Sequence, residues 1–203
     1  MKINTLFFDL GKVLLDFDFN IAFNRVAARS PLDLTSVQSK AYADYPLIAD
    51  YESGQIDTEQ FFTAMKEHFQ FDGSAAELEL IWCDVFTPLD ANIECVRRLA
   101  AHYPLAMISN TSDAHIRFVE ARYDFFGLFQ KRIYSHQVGC LKPQAEIYQI
   151  ALREMSATAG DSLFVDDLAA NVDGAVSAGM NAVLLRPGVS LPEILSGYEL
   201  RGL

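Results

Sequence analysis

The chain has 203 residues, 51% of them hydrophobic and 21% charged, which supplies one sizeable core or a core with a smaller appendage and is not the composition of a disordered polymer. A formal net charge of −11 argues against nucleic acid or an anionic membrane as partner, since both are held by clustered Lys and Arg. Cys83, Cys95 and Cys140 are an odd number without metal-ligand spacing, which argues against a disulfide frame or a zinc site and for reduced, half-buried thiols.

The opening MKINTLFFDL lacks the basic region and cleavage site of a signal peptide, and no apolar run approaches the roughly 20 residues that cross a bilayer. The chain therefore reads as soluble and cytoplasmic. Ile3 to Phe8 is an apolar run that predicts a strand buried on both faces, ending at Asp9 with Gly11 two residues beyond. From about Phe17 to Pro88 the sequence holds no convincing strand and reads as several helices. One is opened by Asp57 or Thr58, with Phe61, Phe62, Met65 and Phe69 on a single stripe, read as helix packing in preference to pocket lining.

Beyond it, short β-rich runs at Pro104 to Ile108, Arg132 to Tyr134, Ser162 to Val165 and Ala182 to Leu185 alternate with helical patterns. These are Asn92 to Ala100, Asp113 to Arg122, Ala145 to Glu154 and Ala169 to Ala178, the last followed by Gly179 as C′ residue. The rhythm predicts an α/β fold, a doubly wound, parallel, Rossmann-like sheet, with a helical cap inserted after the first strand. Residues 1–16 and 89–203 form the core on this reading, and 17–88 the cap, seated over the carboxyl edge of the sheet.

Ligands of such sheets bind beyond the strands' carboxyl ends. The residues there are Asp9; Ser109, Asn110 and Thr111; Lys142 and Pro143; and Asp166 with Asp167. Each alone is an ordinary turn or helix start. Four such coincidences at successive strand ends are not. Converging carboxylates without zinc ligands suit Mg²⁺. Ser109 and Lys142, with backbone N–H groups at Leu10 to Lys12, would hold phosphate oxygens, and Asp9 would attack phosphorus to form an aspartyl phosphate.

These stretches, LFFDLGKV, MISNTS, GCLKP and LFVDDLAANV with GAVSAGM, resemble the four motifs of the haloacid dehalogenase superfamily, in the same order. The resemblance implies a Mg²⁺-dependent phosphatase acting on a small phosphorylated metabolite, with Asp9 as nucleophile. Ser109, Asn110, Lys142, Leu10 and Gly11 would then surround the phosphate, and Asp9, Asp166, Asp167 and the Gly11 carbonyl would hold the metal. Gly11 departs from the family, most of whose phosphatases carry an acid/base Asp there, so mutase activity is not expected. Dehalogenases carry Tyr there and work without Mg²⁺, and the Asp166–Asp167 pair points away from them. A subset with Gly, and with an Asp-x-Asp like Asp16 and Asp18, acts on sugar phosphates such as glucose 1-phosphate. Asp16 and Asp18 are read as shaping the hinge and the first cap helix. His136 is read as a solvated loop histidine. A 2-haloacid dehalogenase and a catalytically impaired binding protein are the alternatives.

Overall fold

The computed structural model describes residues 2–43 and 45–203. In chain order the elements are β1 (Thr5–Phe8), β2 (Leu15–Phe17), α1 (Phe19–Ala27), α2 (Leu34–Ala43), α3 (Tyr45–Glu52), α4 (Thr58–Phe69) and α5 (Ala75–Cys83). Next come β3 (Phe86–Pro88), α6 (Asp90–Ala100), β4 (Leu105–Ser109), α7 (Asp113–Arg122), β5 (Lys131–Tyr134), α8 (Ser135–Val138), α9 (Ala145–Glu154), β6 (Ser162–Asp166), α10 (Ala169–Ser177), β7 (Asn181–Leu184) and α11 (Leu191–Leu195).

Five strands form one parallel sheet in the order β5-β4-β1-β6-β7. Central β1 pairs on one side with β4, Leu6 opposite Leu105, and on the other with β6, Leu6 opposite Leu163. A strand with neighbours and helices on every side has no polar face, which is why TLFF is apolar at successive positions. Its residues still alternate by face. Leu6 and Phe8 join one core with Val96, Leu99 and Leu195, while Phe7 joins another with Ile147, Tyr148 and Phe164. Strand order reverses about β1, so the carboxyl ends of β1, β4 and β6 lie side by side at a topological switch point.

Helices α1 to α5 lie between β2 and β3 and build their own core from Phe23, Val26, Val37, Phe61, Phe62, Met65, Phe69 and Trp82. The α4 stripe is thus helix packing, as its spacing predicts. Asp18 caps α1 by accepting from Asn20 N at 2.9 Å, and Asp57 with Gln60 and Ser74 with Glu77 form capping boxes on α4 and α5.

One expectation is corrected. The segment read as strand-free supplies β3, which pairs antiparallel with β2 as Leu15–Pro88, Asp16–Thr87 and Phe17–Phe86. Three residues ending in Pro are too few to display period-two alternation. The cysteines are free and fully buried, where half-burial was expected. Among the described residues no helix is long and apolar enough to cross a membrane.

Candidate active site

Asp9 follows β1 directly, and its N–H donates to the Val165 carbonyl at 2.9 Å, extending the β1–β6 ladder by one residue. Asp166 ends β6 and is fully buried; Lys142 is 4% exposed. The Lys142 Nζ reaches Asp9 Oδ1 at 2.7 Å, Asp166 Oδ2 at 2.7 Å and the Ile108 carbonyl at 3.0 Å. All three ammonium protons are therefore used, which is what allows so buried a cation. The two carboxylates hold the Lys142 ammonium above its ordinary range although burial alone would lower it.

Asp9 moves the other way. Burial, reinforced by the Asp166 charge, pushes its carboxyl up to about 7, against the attraction of Lys142. Oxygens of Asp9, Asp166 and Asp167 lie within 4.8 Å of one another. Burial and the Asp166 charge likewise raise Asp167. A single ammonium leaves this three-carboxylate set short of positive charge, and an all-oxygen donor set of this kind fits a hard divalent cation.

Backbone and amide groups hold these side chains in place. Asp166 Oδ1 accepts from Leu168 N at 2.8 Å, and Asn171 Nδ2 bridges both Asp166 oxygens at 3.0 and 3.1 Å. Asn110 is read from sequence as a phosphate ligand. Its side-chain amide clasps the Lys142 backbone, accepting from Lys142 N at 2.8 Å and donating to Lys142 O at 3.0 Å. It positions the lysine. Ser109 ends β4 and is buried beside this cluster, and Leu10 offers Asp9 its N–H.

Gly11 is not in a left-handed conformation; its neighbour Lys12 is, at φ 56°. What glycine admits is Phe17, whose Cε1 would lie 3.0 Å from a Cβ at position 11. Lys12 holds that ring, stacking its Nζ 4.4 Å from the centroid while donating to the Phe17 carbonyl at 2.8 Å and pairing with Asp16. Asp16 accepts from Phe17 N at 2.7 Å, so both acids of the Asp-x-Asp shape the hinge and the first cap helix.

The α1–α5 insert, here called the cap, meets the residues around the sheet through the α3–α4 turn. The Ala114 N–H donates to Tyr51 Oη at 3.1 Å, Tyr51 lies 2.9 Å from Thr58 Oγ1, and Thr58 donates to Asp113 at 3.0 Å. Gly54, at φ 72°, lets the turn settle where a Cβ would stand 2.2 Å from the His136 carbonyl oxygen. His136 itself is no solvated loop residue. It lies on α8, half-buried, with Nδ1 3.0 Å from the Thr111 carbonyl. Between cap and core is a cavity of about 370 Å³ walled by Phe17, Phe19, Tyr51, Glu52, Trp82 and His115. Sequence reasoning missed Asn171 and Glu52. Asn171 sits inside the quoted LFVDDLAANV, five residues after Asp166, a spacing that returns a helical side chain toward the strand end; Glu52 carries no such signal.

A carboxylate at the switch point, a buried lysine and an acidic triad thus stand together at one edge of the sheet. The haloacid dehalogenase-like hydrolase family matches residues 3–179, and the chain belongs to it. It is 24% identical over 187 residues to the drimenol cyclase drtB of Aspergillus calidoustus, covering 90% of this chain and 34% of that protein, so it spans about a third of that relative's length. It is 22% identical over 179 residues to a D-ribitol-5-phosphate phosphatase of Bacteroides thetaiotaomicron, covering 84% of this chain and 85% of the relative. In fold it is similar to a HAD family enzyme of the same bacterium solved in complex with magnesium and inorganic phosphate, at TM-score 0.83 and 20% identity over 93% of this chain and 97% of the other.

Proposed function

We infer that this hydrolase is a Mg²⁺-dependent phosphatase that cleaves a small phosphate monoester, a sugar phosphate, through an aspartyl phosphate at Asp9. The observation that carries the reading is the Asp9 carboxylate at the end of β1, within 2.7 Å of the Lys142 ammonium and in one cluster with Asp166 and Asp167. Likeness to a ribitol phosphate phosphatase and to a fold that binds magnesium and phosphate supports it.

Asp9, Asp166, Asp167 and the Gly11 carbonyl are the groups that would hold Mg²⁺, whose charge lets a phosphate dianion approach a carboxylate. The chain's own residues do the rest. Lys142, giving up one of its three present contacts, and the Ser109 hydroxyl bind equatorial phosphoryl oxygens, and the N–H groups at Leu10 to Lys12 add donors. Asp9 attacks in line, the P–O bond to the leaving group breaks, and water later frees phosphate and the Asp9 carboxylate. Residues 17–88 act as a cap domain that shields this chemistry and contacts the leaving group, over a core of residues 1–16 and 89–203.

The test is phosphate release from a panel of sugar phosphates and nucleotides, with Mg²⁺ and with chelator, using the native protein and Asp9→Asn. Metal-dependent turnover abolished by the substitution is the expected result. Metal-independent release of halide from a 2-haloacid, with no phosphate release, would replace this reading with a dehalogenase.

A further inference from the structure

The position at which the family's phosphatases carry a proton donor is filled by Gly11 and closed by the Phe17 ring. A leaving alkoxide nevertheless needs a proton, and water attack needs a base. The acids and bases around the cleft are few, and their engagements differ. Asp16 is ion-paired to Lys12, which holds its carboxyl below the ordinary range. Asp18 is occupied at the start of α1, accepting from Asn20 N at 2.9 Å and Asn20 Nδ2 at 2.8 Å. The Tyr51 hydroxyl is committed to Ala114 and Thr58, and burial raises it further. Burial pushes His115 down to about 4, too low to carry a proton near neutrality, and lowers His136, whose Nδ1 faces the Thr111 carbonyl.

Glu52 is different in each respect. It ends α3, lines the cap–core cavity and makes no hydrogen bond or ion pair among the described residues. Its place is fixed by the two neighbours that latch the cap, Tyr51 on Ala114 and Gly54 against the His136 carbonyl. It lies close enough to the nucleophile's lysine for the Lys142 ammonium to act on it, and burial against that attraction pushes its carboxyl up to about 7. It is therefore an unengaged carboxyl on the wall of the cavity, near enough to Lys142 to feel its charge, that can both give and take a proton near neutrality.

We propose that Glu52 is the general acid and base of this enzyme, supplied by the cap in place of the side chain missing at Gly11. In the first half-reaction an Asp9 oxygen bonds to phosphorus, the bond from phosphorus to the leaving oxygen breaks, and the Glu52 carboxyl proton passes to that oxygen. In the second, the Glu52 carboxylate takes a proton from the attacking water as its oxygen bonds to phosphorus and the Asp9–phosphorus bond breaks. Phosphate, alcohol and the starting enzyme result. A closed cap becomes a condition for chemistry, since the proton donor arrives only when α3 docks on the core.

The proposal rests on the phosphatase reading, and leaving-group dependence separates the two. Native protein, Glu52→Gln and Glu52→Asp are compared on p-nitrophenyl phosphate, whose phenolate departs without protonation, and on glucose 6-phosphate, whose alkoxide does not. Glu52→Gln is expected to keep kcat/KM on p-nitrophenyl phosphate, which reports aspartyl-phosphate formation, within about threefold and to lose about 10²-fold or more in kcat/KM on the alkyl ester, while kcat falls on both because the shared hydrolysis step loses its base. Glu52→Asp recovers part of the loss. Equal losses in kcat/KM on both esters, or no loss on either, overturn the proposal and leave the phosphatase standing. Native protein that turns over neither ester overturns both.

Discussion

Lys142→Met separates what the ammonium does for folding from what it does for chemistry. The side chain is 4% exposed and joins Asp9, Asp166 and the Ile108 carbonyl through contacts of 2.7, 2.7 and 3.0 Å. Methionine keeps the length and apolar stem but leaves two buried carboxylates facing each other. Removing one partner of a buried ion pair destabilises by about 3–5 kcal/mol, and for a chain of this size each kcal/mol moves Tm by about 2–4 °C, so the melting point should fall by roughly 6–20 °C. The effect depends on pH in a fixed direction. The Asp9 carboxyl is already raised to about 7 and rises further without the lysine, so the folded state holds a proton that the unfolded state releases near 3.8. A raised carboxyl loses stability as pH climbs, because deprotonation is then the unfolded state's advantage. Near pH 6 a proton on Asp9 stands in for the ammonium, and near pH 8.5 nothing does. Melting curves in chelator, followed by near-UV circular dichroism, should show a gap between native and Lys142→Met protein that widens from about pH 6 to about pH 8.5. A gap that is constant with pH would refute the argument that the ammonium is what keeps Asp9 charged.

Two further outcomes follow from the cap. His115 is buried, and its lowering from 6.5 to about 4 means the unfolded state binds the proton first. Its contribution is fully present above 6.5 and lost as pH falls toward 4, amounting to about 3 kcal/mol over that window; urea titrations of His115→Phe, in which the new ring meets Phe19 and Phe86, should lose that part of the acid sensitivity. Gly54→Ala places a methyl 2.2 Å from the His136 oxygen at φ 72°, so α3 cannot dock. An approximately 1 Å displacement of the cap should lower kcat/KM by about 10²-fold, while a fall confined to Tm would show that docking is structural only.

The sheet is legible in the sequence because β1, β4 and β6 are buried on both faces, and such strands appear as unbroken apolar runs. Asp9, Ser109, Lys142, Asp166 and Asp167 are legible because parallel strands deliver their following residues to one edge. Asn110 has a further task that its sequence context does not show. An amide beside a phosphate site and an amide that clasps a neighbouring backbone have the same sequence context, and only the two Lys142 contacts distinguish them. Glu52 is illegible because its meaning comes from the tertiary approach of α3 to the core. Nothing in AYADYPLIADYESGQ marks one carboxylate of several as the one that loses its water. The ribbon of β2 and β3 is hidden by brevity, and His136 by the short α8 that follows β5 without a loop.

The place of β1 at the centre of the sheet has a consequence for biosynthesis. TLFF leaves the ribosome before either of its partner strands, the first of which begins at Leu105 and the second at Ser162. At about 5–20 residues per second the span from Phe8 to Ser162 is made in roughly 8 to 30 s, during which a central, apolar strand has an unpaired edge. The helices α1 to α5 have all their residues by Pro88, and most of the cluster they share is made before β4. Nascent chains of this protein should therefore be held by a chaperone at the first strand until β6 emerges, and substitutions that weaken β6 should appear as lost yield before they appear as lost activity.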